Sequence, residues 1–470
     1  MMTSILRTRP RTAVLVAALT LGSSGVGTLP ASAQAPAAAA SASPKATKTT
    51  FVSLGMGVPA VLYEPVNPGP KAQIAFFVMH ASADYLTFSA CSELSKRGYR
   101  VLCANNSTDK ASTFNDGLMD DVLLQAKQGV AYLRRLPGVS KVVLFGHSGG
   151  ATTMTAYQAI AENGPAFCQD AAKLHKCSDA LAGLPPADGI VLADANWGQA
   201  AMVLFSIDPA VRDEANGQDL DPPLDMYNLA NGYNPQGTHF SPDFVHRFLA
   251  AQGARANAII GRAEKRLAAI DAGQGTLADD ELFLVPGGSV VANKLFPADT
   301  SLLSHTVKPW PLVHSDGTVT TQIVHSVRVP SGGPMGLMPS NTYRAALKTT
   351  VKNYLSSWAI RVTDDYGYGE DSTIHGVDWH STYAAPPGNV EGITVPFLTL
   401  GMTGNWEGMA AETIYGHAKS RDKSIAFIEG ATHMYTTCRR CESTPGQFGD
   451  TLKTTYDFID GWASKPGRFQ

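Results

Sequence analysis

Ser140-Lys141-Val142-Val143-Leu144-Phe145-Gly146-His147-Ser148-Gly149-Gly150 is the stretch on which the reading of this chain turns. Its β-branched and aromatic run, residues 142–145, predicts a short buried strand. A Gly-x-Ser-x-Gly turn follows, and the small residues 151–157 predict a helix beyond it. Between a strand and a helix, that pentapeptide describes a sharp bend which pushes the Ser148 hydroxyl out at the sheet edge. The bend strains Ser148, so its neighbours must lack bulk, hence Gly146 and Gly150. The hydroxyl then stands at a helix N-terminus, where developing negative charge is favoured.

Working outward, apolar strands alternate with helical patterns. Residues 51–63 read as two short strands. Residues 72–79 are almost continuously apolar, as in a strand covered on both faces. A helix is predicted over 85–97 and a strand over 99–104. Residues 116–136 have helical spacing, with Leu118, Val122, Leu123, Val130 and Leu133 on one side. Beyond the elbow helix, residues 189–193 form another strand that ends at Asp194. Strands are expected again at 393–400 and 424–428, with helices at 410–418 and 451–462. This alternation predicts an α/β fold built on a mostly parallel, doubly wound sheet. Residues 199–390 break the rhythm. They carry a long helix at 243–270, a hairpin at 311–329 turning at Ser315-Asp316-Gly317, and a second helix at 342–358. This block reads as a large cap inserted into the core. Its histidines (His239, His246, His305, His314, His325, His375, His380) read as fold or surface residues, since no H-E-x-x-H or comparable metal spacing occurs.

In that context the elbow resembles that of the α/β-hydrolases, in their lipase and esterase branch, and the resemblance covers about residues 51–198 and 392–467. It implies a serine nucleophile, an acid and a histidine, in that chain order. A serine hydroxyl is a poor nucleophile at neutral pH and needs a base, which in turn needs an orienting carboxylate. Ser148 leads. His433 stands in Gly430-Ala431-Thr432-His433 after the last core strand, similar to the family's histidine loop. The acid departs from the family's pattern. In Gly401-Met402-Thr403-Gly404-Asn405-Trp406-Glu407 the expected aspartate's place is held by Gly404 or Asn405. Glu407 is the nearest carboxylate and the first choice. Asp194 is the runner-up, and Glu412 comes third, more as a cap or decoration of its helix. For the oxyanion the resemblance implies the backbone N–H of Gly149 and that of Ser82, with Ala81 second. His80 is expected to brace that loop.

The implied activity is a serine hydrolase that cleaves a carboxylic ester through an acyl-serine intermediate. The same residues could act on a lactone, an amide or a β-diketone C–C bond, and the cap could be the lid of a surface-active lipase or polymer hydrolase. A non-catalytic binding protein on a hydrolase scaffold is the rival from another class. No metal or organic cofactor is implied. The expected partner is a small-molecule or polymeric ester.

Composition sets the outer bounds. A net charge of −3 over 470 residues, without long charged runs, argues against nucleic acid as a partner. Arg7, Arg9 and Arg11, the apolar residues 12–21 and Ala31-Ser32-Ala33 make residues 1–33 a signal-peptide pattern. Residues 34–50 read as a disordered linker, followed by core at 51–198, cap at 199–390 and core again at 391–470. The expected location is secreted or periplasmic, with no stable membrane anchor after signal cleavage. Six cysteines fit an oxidising compartment. They fall as Cys91 with Cys103, Cys168 with Cys177, and Cys438 with Cys441. The second pair is the best candidate for a bridge. The first could be buried thiols, and the third reads as a clamp on the loop after His433.

Overall fold

The computed structural model describes residues 46–106, 118–234, 236–277, 279–290, 292–330 and 346–469. The expected signal peptide, most of the linker and the start of the helix at 342–358 lie outside these residues.

Among the described residues the centre is a ten-stranded sheet. Its strands in chain order are β1 (Thr47–Ser53), β2 (Pro59–Pro65), β3 (Ile74–His80), β4 (Arg100–Asn105), β5 (Lys141–Ser148), β6 (Gly189–Ala195), β7 (His305–Val313), β8 (Val319–His325), β9 (Phe397–Met402) and β10 (Lys423–Ile428). Across the sheet they run β1-β2-β4-β3-β5-β6-β9-β10-β7-β8. From β4 to β10 all neighbours are parallel, while β2 joins β4 antiparallel. That order, with its crossover between β3 and β4 and the elbow at the end of β5, is the α/β-hydrolase core.

The central strands are mostly apolar on both sides because both faces are covered. Phe76, Val78, Val143, Phe145, Leu398 and Leu400 point to one face, packed by the helices Ser89–Lys96 and Thr451–Ala463. Phe77, Met79, Leu144 and Leu192 point to the other, packed by Met119–Arg135 and Gly150–Asn163. The period of two is present, but it separates two cores rather than core from solvent.

Three expectations are corrected. Residues 47–50, assigned to the linker, are strand β1, paired antiparallel with β2. The hairpin expected at 311–329 is β7–β8, and it does not sit in a cap: β7 pairs parallel with β10 through Leu312 and Val313. It extends the sheet, so the block 199–390 is not wholly cap. Residues Ala346–Thr350 are a strand paired with Leu282–Pro286, and the helix begins only at Val351. The β-branched pair Thr349-Thr350 favours that extended pairing, and the Thr350 hydroxyl then caps the turn by accepting from the Asn353 N–H. The long helix is Pro242–Asp271, started by Ser241 as its cap and Pro242 at its first position. All three cysteine pairs are disulfides: Cys91–Cys103, Cys168–Cys177 and Cys438–Cys441. Among the described residues no helix is long and apolar enough to cross a membrane.

Candidate active site

Ser148 ends β5 with φ of +52°, the left-handed region that a side chain seldom adopts. Its neighbours show why glycine is needed. A Cβ on Gly150 would lie 2.8 Å from the Met79 carbonyl oxygen, and one on Gly146 2.8 Å from the Ala151 Cα. Next door, β6 carries a second left-handed residue, Asp194, at φ +49°. The register explains it. His147 pairs with Ala193 and Ser148 with Ala195, so Asp194 is the extra residue of a bulge directly beside the Ser148 bend.

The bulge aims the Asp194 carboxylate at the histidine loop. His433 Nδ1 donates to Asp194 Oδ2 at 2.7 Å. The same oxygen accepts from Asn405 Nδ2 at 2.7 Å, and Oδ1 accepts from the Met402 N–H at 3.1 Å. Glu407 Oε2 lies 3.0 Å from His433 Nδ1, and this oxygen is buried without a hydrogen bond, although the Glu407 side chain also bonds to Asn196. A ring nitrogen has one proton to give, and it points to Asp194. The ranking expected from sequence, Glu407 before Asp194, is thus reversed in geometry. Asn405, which occupies the place where an acid was sought, instead supports Asp194. Glu412 is far from this cluster in role. It accepts from the N–H groups of Val307 and Lys308 and from Trp310 Nε1, fastening β7 to the helix Ala410–His417.

The histidine loop is tied down from several sides. The Gly404 N–H donates to the Ala431 carbonyl at 2.9 Å, the Gly430 N–H to the Thr403 hydroxyl at 2.8 Å, and the Cys438 N–H to the Gly430 carbonyl at 2.8 Å. One further tie has no signal in the sequence pattern. His147, inside the elbow pentapeptide, donates from Nε2 to the His433 carbonyl oxygen at 2.7 Å. Its Nδ1 accepts from the Tyr85 hydroxyl at 2.5 Å. Burial holds His147 well below its ordinary pKa, so it is neutral, and burial raises Tyr85, so it keeps its proton. The His147 and His433 rings are 4.3 Å apart. Thus the residue before Ser148 fixes the backbone that carries the other histidine.

On the loop after β3, His80 Nδ1 accepts from the N–H groups of Ser82 at 3.0 Å and Ala83 at 2.8 Å. His80 therefore braces the loop, and the Ser82 N–H, first choice as an oxyanion donor, is already engaged. The Ala81 methyl group and the His80 ring face Gly149.

Burial pulls the His433 pKa down, but the charge of Glu407 and the hydrogen bond and charge of Asp194 outweigh it and leave it at about 9. Burial likewise raises Glu407 to about 7, the nearby His433 charge opposing and that of Asp194 adding. One ligand atom each from Asp194, Glu407 and His433 lie within 4.8 Å of one another, a spacing that could also hold a metal ion. Residues so far apart in the chain leave no metal motif in the sequence.

No family model matches the chain, and no curated protein matches it. Solved structures similar to it include brefeldin A esterase, a bacterial homologue of human hormone-sensitive lipase (12% identity, 92% of this chain and 80% of that one, TM-score 0.39). Others are Est1E from Butyrivibrio proteoclasticus (10%, 88% and 96%, 0.34) and a dienelactone hydrolase from Anabaena variabilis (9%, 89% and 97%, 0.35). Overlap at this level is loose, and the assignment of the core rests on strand order and the elbow. On those grounds the chain has an α/β-hydrolase fold.

Proposed function

We propose that the protein is an exported serine hydrolase that cleaves a carboxylic ester through an acyl-serine intermediate. Ser148 is the nucleophile, His433 the base and Asp194 the orienter. The observation that carries the reading is the Asp194 bulge. Its support is that Asp194 neighbours Ser148 in the sheet register and that its carboxylate is 2.7 Å from the histidine ring. As the Ser148 oxygen bonds to the acyl carbon, its proton passes to His433 Nε2. The imidazolium then gives that proton to the leaving alkoxide, and a second cycle with water frees the acid. Asp194 stabilises the imidazolium and takes no proton. The N–H of Gly149, at the head of its helix, is the first oxyanion donor, and Ala81 is the second, since the N–H of Ser82 is engaged with His80. Export is supported by three disulfides and by the signal-peptide pattern of residues 1–33.

The test is labelling with a fluorophosphonate probe together with a panel of esters, lactones, amides and β-diketones. Ser148 is expected to take the label, with esters cleaved fastest. Ser148→Ala is expected to lose the label and about 10⁴-fold or more in kcat/KM. An intact wild-type protein that neither labels nor cleaves any of these would leave the binding-protein reading in its place.

A further inference from the structure

The mechanism above uses one carboxylate, yet His433 Nδ1 faces two. Glu407 Oε2 stands 3.0 Å away, only slightly farther than Asp194 Oδ2 at 2.7 Å. Both carboxylates are buried, and Glu407 Oε2 has no hydrogen bond of its own. An orphaned carboxylate oxygen inside a protein is costly, and it persists where something it faces needs it. What it faces is the one ring proton that must be held in place while His433 becomes an imidazolium.

The other charged and titratable groups around the pair are few. His147 packs against the His433 ring from the elbow, and it is neutral. Asn405 donates to Asp194, which opposes the burial that raises the Asp194 pKa. Behind Glu407 the buried Lys294 favours its ionised form, while Lys294 Nζ itself donates to the Val290 carbonyl at 2.7 Å. The field of Tyr85 also reaches Glu407. Burial lowers Lys294 to about 7, and it and the imidazole, when protonated, favour the anionic form of Glu407 against its own burial.

We infer that Glu407 is a second orienting carboxylate for His433, a positioning residue that shares the imidazolium with Asp194. The inference rests on the reading of His433 as the base. With both acids present, the ring proton is held by Asp194 and the charge is spread over the two. When Asp194 is lost, a small turn of the ring delivers the same proton to Glu407 without backbone movement. The raised His433 pKa agrees in direction. A base must be neutral to work, so raising it moves the acidic limb above the pH of 6 to 7 expected of an ordinary histidine.

Two measurements decide it. The first follows the His433 ring by NMR in histidine-labelled protein through a pH titration, beside the pH profile of kcat/KM. In wild type the midpoint is expected well above 6.5, and in Glu407→Gln it is expected to fall by about one unit or more, with the acidic limb moving by the same amount. The second compares Asp194→Asn with Asp194→Asn/Glu407→Gln, where the single variant should keep about tenfold or more of the kcat/KM that the double variant loses. A wild-type midpoint at or below 6.5 overturns the inference even if no variant folds. So does an unmoved midpoint in Glu407→Gln, or equal activity in the single and double variants. The NMR midpoint needs no turnover, so it still decides the role of Glu407 if Ser148 takes no label and the hydrolase reading itself fails.

Discussion

At the scale of single residues, two strained positions do the placing. Ser148 and Asp194 both sit at positive φ on adjacent strands, and each is held there by what surrounds it rather than by its own preference. His147 is the residue whose part the pentapeptide does not announce. It is the variable position of the motif, yet it bridges the Tyr85 hydroxyl and the His433 carbonyl from inside the core. His147→Phe keeps a ring of similar size against Phe88 and His433 but removes both bonds. Two buried polar groups are then left without that partner, at a cost of about 1–3 kcal/mol each. The expected result is a lower unfolding midpoint in urea, and a kcat that falls more than KM changes. A variant as stable and as fast as wild type would mean that the His433 loop is held by its other ties alone.

At the scale of elements, the two loops that meet at the site are joined before any substrate arrives. The Thr403 hydroxyl accepts the Gly430 N–H, and Gly404 and Ala431 bond through their backbones. Thr403→Val keeps the shape and strands the Gly430 N–H, so it should cost about 1–3 kcal/mol and loosen the histidine loop. Faster hydrogen exchange confined to residues 429–433 would report it; exchange unchanged there would place the hold elsewhere. The core strands and the elbow were legible because burial on both faces writes long apolar runs, and because glycine is the only residue that fits beside Ser148. His433 was legible from its place after the last strand. The choice between Asp194 and Glu407 was not, since it depends on a one-residue bulge, and a bulge is a matter of register between strands far apart in sequence. The pairing of Ala346–Thr350 with Leu282–Pro286 was hidden for the same reason: each is short, and its partner lies some sixty residues away. The hairpin β7–β8 was visible as a hairpin, but nothing in its own residues says which sheet edge it joins.

At the scale of the whole molecule, two of the three disulfides divide the labour between fold and site. Cys91–Cys103 joins the helix Ser89–Lys96 to β4 within the core and closes 12 residues, and both cysteines are fully buried. Cys438–Cys441 closes 3 residues at the rim, in the loop that follows His433 and hangs on the Gly430 carbonyl. By chain entropy the first constrains the unfolded state more, about 3 kcal/mol against about 2 kcal/mol. Exposure widens the contrast. A reductant reaches the rim bridge by a local opening, whereas the buried bridge opens only when the sheet face does. Graded reduction of the native protein is therefore expected to show two stages. Cys438 and Cys441 should accept a thiol label first, with activity falling while the thermal midpoint changes little. Cys91 and Cys103 should label only as the molecule unfolds. Variants separate the two in the same way: Cys91→Ala/Cys103→Ala should lower the midpoint more, and Cys438→Ala/Cys441→Ala should lower kcat more. Loss of both properties in a single step would mean that the rim loop and the sheet melt as one unit, and that the histidine is held by the fold as a whole rather than by its own clamp.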